Sequence, residues 1–222
     1  MPLDDNATPD NGKPQPQSRT VVITPPKFES AAIHIRGISP YMQHNFAQKA
    51  IAQIEATQRE GSRSRKGRKR DARDFEADYE AAKHISEDGW CGVPAPAFRN
   101  ALISACRLAG FAMTRAKLSI FVEADGWDRD GRTPLIRING NPEPPGEPQP
   151  VRNESGVVDL RMRPVWRRWE VVLRLRWDAD QFSAADILNL VARAGLQVGV
   201  GEGRPDSPNS NGLGNGCWEV MP

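Results

Sequence analysis

The segment Trp169 to Trp177 constrains this chain more than any other, because Trp169, Val171, Leu173, Leu175 and Trp177 alternate strictly with Glu170, Val172, Arg174 and Arg176. A period of two over nine residues is a half-buried β-strand, with one face in a core and one in water. A similar alternation precedes it, Val158, Leu160 and Met162 against Asp159, Arg161 and Arg163, and Pro164 separates the two runs. Together they predict an antiparallel hairpin with Arg161, Arg163, Arg174 and Arg176 on its outward side and Arg167 and Arg168 at its turn. Ordinary polar-out alternation accounts for such a face equally well. Arginine, however, is suited to bidentate phosphate contacts and to stacking on bases.

The other elements follow from periodicity and punctuation. Ala31 to Arg36 alternates, with Ile33 and Ile35 on one face, and Gly37 and Pro40 close a first strand. Phe46 to Gln58 has helical spacing, and Asp71 to Ile85 predicts that the helix resumes. Val93-Pro94-Ala95-Pro96 leads a helix with Phe98, Ala101, Leu102, Ala105 and Leu108 on one stripe, stopped at Gly110. Leu118, Ile120 and Val122 predict a second strand, and Leu135 to Asn139 another. Ser183 and Asp186 form a capping pair for a helix running to Gly195. Residues 1–28 are polar and proline-rich and are expected to be a disordered tail, whereas five prolines between Asn141 and Pro150 make that stretch a loop. The expected organisation is one folded domain, 29–222, with an insertion at 46–90. Among the tryptophans, Trp169 and Trp177 are expected in the core, with Trp90, Trp127 and Trp166 freer to act as stacking surfaces.

Charge is unevenly distributed. Between Arg59 and Arg73 eight basic residues face two acids, a local +6 in a chain of net charge +2, so the remainder carries about −4. An acidic body with one concentrated cationic segment predicts an anionic partner for Arg63, Arg65, Lys66, Arg68, Lys69 and Arg70; a solvated loop is the plainer reading. No apolar run is long enough to span a membrane, and three widely spaced cysteines give neither a disulfide framework nor a zinc site. A cytoplasmic protein without membrane attachment is expected. Asp125, Asp128 and Asp130 lack the downstream glutamate of a calcium loop and are read as a turn, so neither a metal nor a cofactor is expected. Of the three histidines, His44 is the candidate general base, with His34 the second choice; a surface or capping role is the simpler reading.

The order strand, helical insertion, helix, strand, strand pair, helix, strand resembles a ferredoxin-like, RRM-like α+β fold with an antiparallel sheet core. Two segments carry a closer resemblance. The Pro-led VPAPAFRNALISACRLAG, and near the C-terminus LVARAGLQVGVGEGRP followed by GLGNGCWEV, are similar to the RAMP superfamily, whose members form the backbone of CRISPR effector complexes. The resemblance covers about a fifth of the chain, and the polar spacer Asp206 to Asn211 splits its glycine loop. It implies single-stranded RNA bound along a positively charged palm, side-by-side repetition of subunits, and contacts from Arg99, Gly199, Gly201, Gly203 and Arg204. The basic insertion would occupy the place of the family's finger-like excursion. The expected function is non-catalytic, sequence-independent binding of single-stranded RNA or DNA by a homo-oligomer or a ribonucleoprotein subunit. The alternatives are a guide-RNA-processing endoribonuclease using His44 or His34, and a phage-derived protein that coats or anneals single-stranded DNA. Glycines spaced by one residue also expose backbone N–H groups as an anion nest, or simply let two backbones approach.

Overall fold

The computed structural model describes residues 23–45, 74–152, 158–207 and 213–222. In chain order it contains β1 (Phe28–Gly37), β2 (Tyr41–Met42), α1 (Phe75–Ala81), β3 (Gly92–Pro94), α2 (Ala95–Leu108), α3 (Met113–Ser119) and β4 (Ile120–Glu123). There follow β5 (Gly126–Trp127), β6 (Pro134–Arg137), β7 (Gln149–Arg152), β8 (Val158–Arg161), β9 (Val165–Trp166), β10 (Glu170–Asp178), α4 (Ala184–Gln197) and β11 (Trp218–Val220). The class is α+β with antiparallel sheets. The tail up to residue 22 and the basic segment between 46 and 73 lie outside the described residues.

The main sheet has the order β11-β1-β10-β4, and every neighbouring pair is antiparallel. Its long centre is β1 against β10, in register from Phe28 opposite Asp178 to Arg36 opposite Glu170. Alternation sends Ile33, Ile35, Val171, Leu173, Leu175 and Trp177 to one face. There they meet the stripes Phe98, Ala101, Leu102 and Ala105 of α2 and Ile187, Leu190, Val191 and Ala194 of α4 in one buried cluster. Each of the larger side chains contributes about 1.5–3 kcal/mol by leaving water, which offsets the ordering entropy of the strands. Helix α4 starts as its sequence requires: the Ser183 hydroxyl accepts from the Asp186 amide while the Asp186 carboxylate accepts from the Ser183 amide. The remaining strands form β3-β6-β5, β2-β9 and β7-β8.

Several expectations are corrected. The 158–163 and 169–177 segments do not form a hairpin: β8 pairs with β7, and β10 lies between β1 and β4. Arg161 and Arg163 therefore do not share a face with Arg174 and Arg176. Pro164 is the physical reason, since the strand it breaks resumes as the two-residue β9, pairing with β2 before Trp169 turns the chain into the main sheet. The 141–150 loop ends in strand, as Gln149 and Pro150 open β7. Leu118 belongs to α3 and is 77% exposed; the strand begins only at Ile120. The helix resuming beyond the basic run is shorter than its periodicity predicts, ending at Ala81. Gly195 is not a helix stop, because α4 runs two residues further. A side chain at Gly195 would collide with the Trp218 carbonyl and ring, so the glycine sets how closely helix and sheet approach. Trp169 and Trp177 are buried, as expected, but so is Trp166, which packs on Tyr41 at 5.5 Å between ring centres.

Candidate nucleic-acid interface

The glycine-rich stretch is held down by packing of backbone on backbone. Gly199, Gly201, Gly203, Gly214 and Gly216 all have positive φ, between 66° and 82°. The Val200 amide donates to the Gly216 carbonyl at 3.0 Å, the Gly216 amide to Pro40 at 2.8 Å, the Asn215 amide to Gly203 at 3.0 Å, and the Glu202 amide to Met42 at 2.9 Å. A methyl on Gly201 would stand 2.5 Å from the Met42 carbonyl oxygen, and one on Gly216 would overlap the Val200 carbonyl. Close approach is thus one reason for glycine here. Several amides that an anion nest would need are already spent on the protein itself. Arg204 turns back into the loop, its guanidinium donating to the Gly201 carbonyl at 3.3 Å.

This packing carries the middle of the glycine string to the foot of the insertion. β2 pairs with β9, Tyr41 opposite Trp166 and Met42 opposite Val165, and the Gln43 amide donates to the Pro164 carbonyl at 3.0 Å. Between these elements the Glu202 carboxylate accepts from Arg163 Nε at 2.7 Å, and His44 Nδ1 lies 3.9 Å from the same oxygen. The Arg163 side chain is only 9% exposed and Glu202 21%, so this is a largely desolvated pair, whereas His44 keeps a third of its side chain in water. Partial burial, reinforced by the positive charges of Arg163 and Arg161, holds the His44 pKa down at about 4 despite the opposing pull of Glu202. At neutral pH the cluster presents two guanidinium groups, one carboxylate and an uncharged imidazole.

The two ends of the insertion are stapled at the same place. The Asn45 amide donates to the Ala82 carbonyl at 3.0 Å, and its side chain to the Lys83 carbonyl at 3.3 Å. The Gln43 side chain accepts from the His84 amide at 2.9 Å and donates to the Gly92 carbonyl at 2.7 Å and the Tyr41 hydroxyl at 3.0 Å. His84 is in turn bound to Asp128 at 2.5 Å, both side chains buried. Asp125 instead accepts from the Arg137 amide at 2.8 Å and pairs with Arg174, and Asp130 accepts from Arg132 at 3.0 Å. The three acids are thus used separately, and no metal-ligating cluster occurs among the described residues.

The remaining candidates are dispersed. Arg63, Arg65, Lys66, Arg68, Lys69 and Arg70 lie outside the described residues. Arg99 closes the end of α3: its guanidinium donates to the Ile120 carbonyl at 2.9 Å and to that of Lys117, and rests 5.4 Å from the Phe121 ring. Arg174 and Arg176 are exposed on the face of the main sheet away from the helices, as is His34. The structure brings together His44, Arg161, Arg163 and the loop of Gly199, Gly201 and Gly203; it leaves Arg99, Arg174 and Arg176 elsewhere. Sequence reading missed Glu202, Gln43 and the His84–Asp128 pair. Only the interruption of the glycine string by a lone glutamate hinted at the first, and His84 and Asp128 lie too far apart in sequence for spacing to pair them.

No protein-family model matches the chain, and no curated protein matches it. No helix among the described residues is long and apolar enough to cross a membrane.

Proposed function

We propose that this chain is a non-catalytic protein that grips the backbone of single-stranded nucleic acid, RNA foremost, as a RAMP-like subunit of a repeating assembly. The observation that carries the reading is convergence. From His44 at the foot of the basic insertion to Arg161 is 117 residues, and from Arg163 to Glu202 in the glycine loop another 39, yet the three segments meet around Glu202. A foot beside Arg161 and Arg163, from which the sequence runs on into the cationic segment, suits phosphate, and such contacts read charge rather than base identity. The sheet order β11-β1-β10-β4, with α2 between the first and second of these strands in chain order and α4 between the third and fourth, supports a ferredoxin-like core beneath it.

The state of His44 favours binding over cleavage. A general base works best with a pKa near the operating pH, and at about 4 this imidazole is a weak acceptor. The test is fluorescence anisotropy of a labelled unpaired RNA across a salt series. The logarithm of the affinity is expected to fall linearly with the logarithm of salt, by about 0.7 for each phosphate neutralised. Replacing Arg63, Arg65, Lys66, Arg68, Lys69 and Arg70 with Gln should abolish most of that slope. A flat slope, or undiminished binding by the variant, overturns the reading. Loss of intact RNA on incubation favours the endoribonuclease instead, and preference for single-stranded DNA favours the coating protein.

A further inference from the structure

The solvent face of the main sheet carries two aromatic rings where alternation calls for polar groups. Phe28, at the start of β1, is 39% exposed, and Phe121 of β4 is half-buried on the same face. Their rings meet edge to face at 5.8 Å. Arg176, beside Phe121 in the β10–β4 register, places its guanidinium 5.0 Å from the Phe28 ring and 5.2 Å from that of Phe121. Two other arginines of this face are neutralised, Arg36 by Glu170 at 2.8 Å and Arg174 by Asp125, while Arg99, 5.4 Å from the same Phe121 ring, spends its guanidinium on the Ile120 and Lys117 carbonyls. Arg176 has no carboxylate partner among the described residues, although Glu123 and Asp178 stand on the adjoining positions. A cation held by π-faces in place of an acid keeps its charge for something else.

We propose that Phe28, Phe121 and Arg176 form a stacking site for an unpaired nucleobase, with Arg176 also meeting the adjoining phosphate. The inference rests on the proposed binding of single strands and adds a second point of contact to it. Phenyl and guanidinium planes accept any base, because every base has a π-face, and an unneutralised cation favours an anionic polymer over an uncharged ligand. The site stands at the far end of β1 from the Glu202 cluster. Nine extended steps from Phe28 to Gly37 place it roughly 30 Å away.

The experiment compares a labelled oligouridine of about 16 nucleotides, within the range that small single-strand modules occupy, with an abasic backbone of equal length and charge. Wild-type protein is expected to prefer the based oligomer by about tenfold, the worth of one stacked base. Phe28→Ala and Phe121→Ala combined with Arg176→Lys, which keeps the charge and removes all three planes on the solvent face, should erase the preference and leave the salt slope unchanged. Equal wild-type affinity for the two polymers overturns the stacking site while leaving backbone binding intact, as does a preference that survives in the variant. Binding of neither polymer sinks both readings.

Discussion

Glu202→Gln separates the two roles of the convergence point, because stability and binding should move in opposite directions. The glutamine keeps the shape, the backbone bond to Met42 and an acceptor for Arg163 Nε, but removes the charge. The bond that remains still joins a charged guanidinium to an amide oxygen, so only part of a charge-assisted bond's roughly 1.5–3 kcal/mol is given up and the loss should be about 1–2 kcal/mol. Glu202→Ala, which strands a guanidinium that is 9% exposed, should cost about 3–5 kcal/mol. Urea denaturation followed by tryptophan fluorescence reads both. Single-strand affinity should rise for Glu202→Gln, by a factor of roughly 3 to 10 at low salt, since one repulsive charge has gone and the charge of Arg163 is no longer neutralised. The salt slope should steepen by up to about 0.7. A folded Glu202→Gln protein with unchanged or weaker affinity and the wild-type slope would refute the placement of the phosphate path beside Glu202.

Two further outcomes follow from the same region. Gly216→Ala should destabilise by about 3–5 kcal/mol, combining a left-handed backbone with overlap on the Val200 carbonyl, whereas Gly131→Ala, with φ 66° and open space around it, should cost only about 1–2; thermal melts of the two variants check the contrast. His44 binds fewer protons folded than unfolded between pH about 4 and its ordinary 6.5, so stability should rise with pH across that window and be lost as pH falls through it. Screening at a partly exposed ring reduces the full effect to about 1–2 kcal/mol, and His44→Gln should flatten the profile measured by urea titration at pH 4.5 and 7.

What the sequence disclosed divides along physical lines. Local signals were legible: the alternation of Trp169 to Trp177, the Pro-led stripe of α2 and the Ser183–Asp186 cap each act within one or two turns or pleats. Pairing was not, because a period of two states which face is buried but not which strand lies alongside, and β10 chose β1 from the other end of the chain. The arginines were misgrouped for that reason. Trp166 looked free because its partner Tyr41 is distant in sequence, and Leu118 looked buried because its spacing of two from Ile120 and Val122 runs across the junction where α3 ends at Ser119 and β4 begins. The glycine string was visible as a place of close approach. Its central glutamate drew no notice, since its meaning depends on Arg163 and His44, which only the fold supplies.

The lengths of these contacts matter for how the protein comes into being. β1 waits for a partner that begins at Glu170, so a ribosome adding roughly 5–20 residues per second leaves that strand unpaired for on the order of ten seconds. Closure is later still, when the Cys217 amide reaches the Ser39 hydroxyl across 178 positions at 2.9 Å and Gly216 docks on Pro40. Long-range pairing of this kind folds slowly. The basic segment has therefore emerged into solution well before the glycine loop and Glu202 exist, and the convergence site is among the last parts of the molecule to be assembled.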